Sequence, residues 1–279
     1  MRQLGHGPRF ERDFVVYGVR ITVRADCRAL FDALDDPAQI PLPFGWHPGD
    51  HHGLNALHYE LLTCATSEAT PSYRVLAGTS QLAEVRSLTE VGTVLGAHAD
   101  LCIAERAPEH LFVHAGVVGW EGRAIVMPGA SFAGKTTLVR AWLEAGATYY
   151  SDEFAVIDRT GCVHPFARPL AVRDGIGATR QVPAATLGAE TGSAPLPVGL
   201  ILVTSYRAGA HWRPRSLTAG PTLLALMRNT VAARGNPEHS MPILKQAVSG
   251  SLGVAGVRGE ARPLIAAVLG HRRLLMSEL

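Results

Sequence analysis

Apolar and polar positions along this chain follow two periods, and their interleaving predicts strands and helices in mixed order. Residues 14–25, Phe-Val-Val-Tyr-Gly-Val-Arg-Ile-Thr-Val-Arg-Ala, are β-branched and partly alternating, which predicts a strand. A short helix over 27–34 follows, and residues 36–53, rich in Pro, Gly, Asp and His, read as loop. Strand-like runs recur at 57–64 and 73–78, the pattern at 82–91 fits either period, and 94–106 carries apolar residues at helical spacing. A boundary near residue 105 separates an N-terminal α+β region, 1–105, from the remainder, 106–279.

Beyond that boundary, residues 111–120 predict a strand that turns at Glu121-Gly122 into a second strand, 123–128. A helix over 135–145 is closed by Gly146, and 148–158 predicts another strand. The turn Arg159-Thr160-Gly161 returns the chain as a hairpin partner over 162–166. Residues 183–197, heavy in Pro, Ala, Gly and Thr, predict a mobile loop, whereas the unbroken apolar run 198–204 predicts a strand buried on both faces. Helices are expected over 222–233, 241–248 and 260–269, with Pro263 in the first turn of the last. No internal repeat is visible, and the fold class is α/β.

Composition narrows the functional classes. The 279 residues suffice for one large or two smaller domains, 47% of them are hydrophobic, and the formal net charge is only +2. No strongly basic face is implied, so nucleic acid is not an expected partner. No run approaches the roughly 20 apolar residues of a membrane span, and the opening Met1-Arg-Gln-Leu-Gly-His-Gly-Pro lacks a signal-peptide core. Cys27, Cys64, Cys102 and Cys162 are scattered without a C-x-x-C pair, which suits small core residues in a reducing cytoplasm.

The chemistry concentrates at Gly129-Ala130-Ser131-Phe132-Ala133-Gly134-Lys135-Thr136, a fit to G-x-x-x-x-G-K-[ST] between a strand and a helix. Such a loop aims backbone N–H groups and the positive end of a helix dipole at a polyphosphate. Lys135 is expected to reach the β/γ-phosphates, Thr136 to bind Mg²⁺, and Thr137 to complete the nucleotide-binding segment of an ATP site.

Asp152 and Glu153 interrupt an otherwise apolar strand one helix after the loop, and adjacent desolvated carboxylates call for a compensating cation. Neighbouring strand positions face opposite sides, so the chain is expected to bend at this pair. His114 lies in a second apolar stretch; a lone histidine there is more often structural than catalytic. Arg168, Arg173 and Arg234 are candidates for a clamp on the charge that phosphoryl transfer spreads over its oxygens. The His-rich run Trp46-His47-Pro48-Gly49-Asp50-His51-His52, with His58 beyond, matches no standard zinc spacing.

Taken together, His114-Ala-Gly, the Gly129–Thr136 loop and Asp152-Glu153 resemble the C-terminal catalytic domain of the HPr kinase/phosphorylase family. The resemblance covers about residues 111–173 well and continues weakly to about 265. It implies a phosphoenolpyruvate-carboxykinase-like P-loop core, with Asp152 as general base, His114 orienting it, and Glu153 in place of the family's second Asp holding Mg²⁺ with Thr136. It also implies a hydroxyl acceptor, and the family's tendency to oligomerise implies a homo-oligomer. The family's HPr-binding signature is missing and residues 1–105 do not resemble its N-terminal domain, so a serine of another peptide or small protein is the expected acceptor, with 1–105 in its recognition. Relatives of this kind phosphorylate ribosomally made peptides, including lasso precursors. The alternative class is a nucleotide-binding regulatory or peptide-binding module with little turnover.

Overall fold

The computed structural model describes residues 10–36, 39–40, 46–49, 56–64, 71–130, 133–173, 179–231 and 235–270. The chain divides into two compact units, residues 1–108 and 109–279.

In the first unit, β1 (Phe10–Val16) and β2 (Val19–Ala25) form an antiparallel hairpin. The single strand expected over 14–25 is therefore a strand pair. Tyr17 and Gly18 both take positive φ, 48° and 78°, as a two-residue hairpin turn requires, and the run of β-branched residues around them hides that turn. After α1 (Arg28–Ala33), the short β3 (His47–Pro48) joins the outer edge of β1. Strands β4 (Leu57–Cys64), β5 (Ser72–Ala77) and β6 (Ser80–Val85) complete a sheet ordered β3-β1-β2-β4-β5-β6. Helix α2 (Leu88–Arg106) packs on β4, β5 and β6 through Val91, Leu95, Ala99 and Ile103, one stripe at four-residue spacing. The ambiguous stretch 82–91 resolves at Ser87, which caps α2 in a reciprocal box with Glu90.

The second unit is built around β7 (His110–Trp120), which turns through Glu121-Gly122 into β8 (Arg123–Pro128). Helix α3 (Lys135–Glu144) follows, then β9 (Thr148–Ser151), β10 (Phe154–Asp158), β11 (Cys162–His164) and the hairpin β12 (Leu170–Arg173) with β13 (Thr179–Val182). The rest comprises β14 (Leu196–Tyr206), β15 (Arg215–Leu217), α4 (Ala219–Met227), α5 (Pro237–Ser249), β16 (Leu252–Arg258) and α6 (Ala261–Gly270). The sheet runs β11-β10-β7-β8-β14-β16-β15; β9 also pairs with β7, and β11 pairs back onto β14. Strands β8, β14 and β16 are parallel.

This sheet is covered on both faces, which explains its continuous apolar strands. Ile125, Met127, Leu200, Leu202 and Val254 pack with Leu138 and Trp142 of α3 and Leu264, Ile265 and Val268 of α6. Their alternate neighbours Ala124, Val126, Val198 and Ile201 pack with Leu226 of α4 and Ile243 and Leu244 of α5. Gly116 lets α3 lie close against β7, because a Cβ there would come within 2.8 Å of Val139 Cγ2.

Two expectations change here. The helix expected over 222–233 ends at Met227, because β7 needs a partner beside residues 112–114: His114 N–H donates to the Asn229 carbonyl and Val231 N–H to that of Phe112. Residues 232–234 lie outside the described residues. The stretch 183–197, expected as a mobile loop, contains a 3₁₀ turn at Ala184–Leu187, backbone bonds from Tyr149 N–H to Glu190 and from Gly192 N–H to Tyr149, and the start of β14.

Candidate active site

The Gly129–Thr136 segment joins β8 to α3. Gly134 is the N-cap of α3 and adopts φ 82°, a left-handed conformation that disfavours any side chain. With no side-chain cap present, the first-turn N–H groups of α3 are left for a ligand. The loop is pinned at its start by Gly129 N–H, which donates to the His114 carbonyl at 3.1 Å. Ser131 and Phe132 fall outside the described residues. Ala130 and Thr137 are exposed, while Gly129, Ala133, Gly134 and Thr136 are half-buried.

Lys135 is only 8% exposed, and its Nζ donates to the carbonyls of Gly129 and Ala130 at 3.1 and 3.2 Å. Desolvation lowers the affinity of this amine for its proton, with Glu153 and Asp152 opposing the shift. Lys135 is thus a partly desolvated cation already folded over the loop.

Asp152 and Glu153 occupy the break between β9 and β10, where the sequence predicts a bend. Their backbone stays satisfied because Ser151 Oγ accepts from the N–H groups of Glu153 and Phe154 at 3.1 and 3.0 Å, while Glu153 C=O accepts from Ala115 N–H. Asp152 is 7% exposed; it accepts from Thr136 Oγ1 at 2.9 Å and from Tyr149 Oη at 3.1 Å. Burial raises its pKa above the usual aspartate range, although both hydroxyls and the Ala171 N–H work against it. Glu153 behaves in the opposite sense. The His114 imidazole, 3.6 Å away, holds its carboxyl below the ordinary range against the effect of burial, with Lys135 and Arg168 adding to the lowering.

The His114 contact corrects one expectation. The imidazole lies against Glu153 rather than Asp152, because His114 pairs with Phe154 across β7 and β10 and its ring stacks on that residue at 4.7 Å. Asp152, two residues earlier, is engaged instead by Thr136 of α3 and by Tyr149.

Gly134, Lys135, Thr136, Thr137, Arg140, Asp152, Glu153 and Arg173 line one cavity of about 450 Å³. Arg173 therefore joins the site from β12, and Arg168 acts on Glu153 from the preceding segment. Arg234 lies outside the described residues, as do Asp50, His51, His52 and the His47 side chain of the His-rich run. Among the described residues no three His, Cys, Asp or Glu side chains gather closely enough to hold a metal alone. Sequence reasoning missed Tyr149 and Arg140. Tyr149 signalled itself only as one of two tyrosines before the acids, and Arg140 one turn beyond Thr136 on α3. No family model matches the chain, and no curated protein does so either. No helix of the described residues is long and apolar enough to cross a membrane.

Proposed function

We propose that this chain is an ATP- and Mg²⁺-dependent kinase that phosphorylates a hydroxyl, a serine of a peptide or small protein, with Asp152 as general base on a phosphoenolpyruvate-carboxykinase-like P-loop core. The observation that carries the reading is one cavity in which a phosphate loop, its lysine and two carboxylates of opposite character meet.

The two acids divide the work by their surroundings. A proton acceptor serves best when its pKa is lifted toward neutrality, and burial does that to Asp152. A metal ligand serves best when it stays ionised, and the contacts of Glu153 favour that form. Thr136 and Glu153 supply hard oxygen donors suited to Mg²⁺; with so few protein ligands, the remaining positions fall to phosphate oxygens and water. When bound, Mg²⁺ would neutralise charge on the phosphate oxygens. In transfer, the acceptor oxygen attacks the γ-phosphorus, the bond to the β-phosphate oxygen breaks, and the acceptor proton passes to Asp152. Lys135, with Arg173 at the cavity wall, offsets the charge of the transferring group. His114 acts through Glu153, keeping that carboxylate charged and placed.

The test is transfer of label from γ-labelled ATP to a pool of serine-containing peptides, with wild type beside Asp152→Asn. Label on peptide with wild type alone supports the proposal. Tight ATP binding with no transfer to any acceptor, by either protein, would turn the reading toward a regulatory nucleotide-binding module.

A further inference from the structure

Arg258 ends β16, and the parallel strands β8, β14 and β16 bring it to the same sheet edge as the phosphate loop. It is 3% exposed. Its Nη1 donates to the Gly259 carbonyl at 3.1 Å and its guanidinium lies 5.2 Å from the Tyr206 ring, but Nε has no hydrogen-bond partner among the described residues. No carboxylate of the described residues pairs with it; the nearby Glu260 is itself engaged by the Tyr206 hydroxyl at 2.9 Å. The group points at the loop, since a Cβ placed on Gly134 would lie 2.6 Å from Arg258 Nη2.

A guanidinium stays charged at any physiological pH, so burying one without an anion is unfavourable. Here a guanidinium with no ion-pair partner among the described residues lies against Gly134, the N-cap whose helix leaves its first-turn N–H groups without a side-chain cap, so both present donors to one anion. Planar, paired N–H donors match phosphate oxygens. We propose that Arg258 is a phosphate-binding residue of this site, gripping the phosphate chain of a nucleotide from the β16 side while Lys135 grips it from the loop. The inference rests on the nucleotide-binding reading and deepens it. Because the contact is to phosphate, it serves nucleoside triphosphates, nucleoside diphosphates and pyrophosphate alike. The nucleoside has separate room in a cleft of about 420 Å³ between α3 and α6, lined by Thr137, Arg140, Glu260 and Arg262.

The experiment is calorimetric titration of wild type, Arg258→Met and Arg258→Lys with Mg-ATP, Mg-ADP, Mg-pyrophosphate and adenosine, together with the melting temperature of each ligand-free protein. Arg258→Met is expected to weaken all three phosphate ligands by roughly 10–100-fold, the range for charge-assisted hydrogen bonds. Adenosine binding should not change, and Arg258→Lys should recover part of the loss. The ligand-free Met variant should melt no lower than wild type, because it removes an unpaired buried charge. Wild-type affinities in a folded Arg258→Met protein, or a lower melting temperature with affinities intact, would overturn the proposal and leave Arg258 a structural cation. Wild type that binds none of the phosphate ligands would overturn the kinase reading along with it.

Discussion

Asp152→Asn should make the ligand-free protein more stable while slowing phosphoryl transfer severely. In the wild type this carboxylate is 93% buried by residue area, and its two side-chain donors, Thr136 and Tyr149, do not offset its desolvation: burial remains the largest influence on it and the pKa stays raised. An asparagine of the same shape keeps both neighbours, since Oδ1 accepts from one hydroxyl and Nδ2 donates to the other oxygen. Replacing such a buried charge by a neutral group is worth about 1–2 kcal/mol. For a unit of this size that is a rise of about 2–8 °C in melting temperature. The pH dependence has a definite sign. A carboxyl with a raised folded-state pKa favours folding below its unfolded value of 3.8 and loses that contribution as pH climbs through the folded value. The gap between variant and wild type should accordingly be small near the unfolded value and widen toward neutrality. Scanning fluorimetry from acid to pH 8 measures it, with transfer from labelled ATP run in parallel and expected to fall by about 10²–10⁴-fold. A variant that melts several degrees lower at neutral pH, or whose advantage does not change with pH, would refute the reasoning.

Other substitutions separate the remaining roles. Glu153→Gln should raise the Mg²⁺ concentration for half-maximal activity about tenfold or more while leaving metal-free nucleotide binding close to wild type, as metal titrations of transfer will report. In wild type the Glu153 carboxylate, with its lowered pKa, should hold its charge through mildly acidic pH and lose its contribution only as pH falls through the folded value below 4.5. Lys135→Ala should weaken ATP binding in calorimetry by about 10²-fold, because a charge-assisted contact to phosphate is lost. Gly116→Ala should destabilise by about 1–3 kcal/mol in denaturant unfolding, since the new methyl meets Val139 at 2.8 Å within a packed face; an unchanged midpoint would mean that α3 shifts freely on β7.

How much of this was legible in the sequence depends on whether the signal was local. The loop and α3 were readable because strand, glycines and helix follow one another without interruption. The break at Asp152-Glu153 was readable because no apolar strand tolerates two adjacent acids in its interior. The Tyr17-Gly18 turn was missed because tyrosine gives no turn signal and β-branched residues flank it on both sides. The early end of α4 was missed because it answers a need of β7, more than 100 residues earlier in the chain. The partner of His114 was assigned to the wrong acid for the same reason: cross-strand register, not sequence spacing, decides it. Arg258 was invisible as a ligand because nothing in Val-Arg-Gly-Glu distinguishes a buried guanidinium from a surface one.

The β7 geometry leaves this site room to diversify. Position 114 holds the start of the Gly129–Thr136 loop through its carbonyl and the 229–231 segment through its N–H, both with main-chain atoms. Any residue but proline can meet that scaffolding duty, whereas the imidazole meets Glu153 and the stacked Phe154. The position is therefore a socket into which different chemistries can be plugged without renegotiating the loop. A library there would vary the partner of Glu153, and with it the metal preference of the site, while the main-chain support of the loop stays in place.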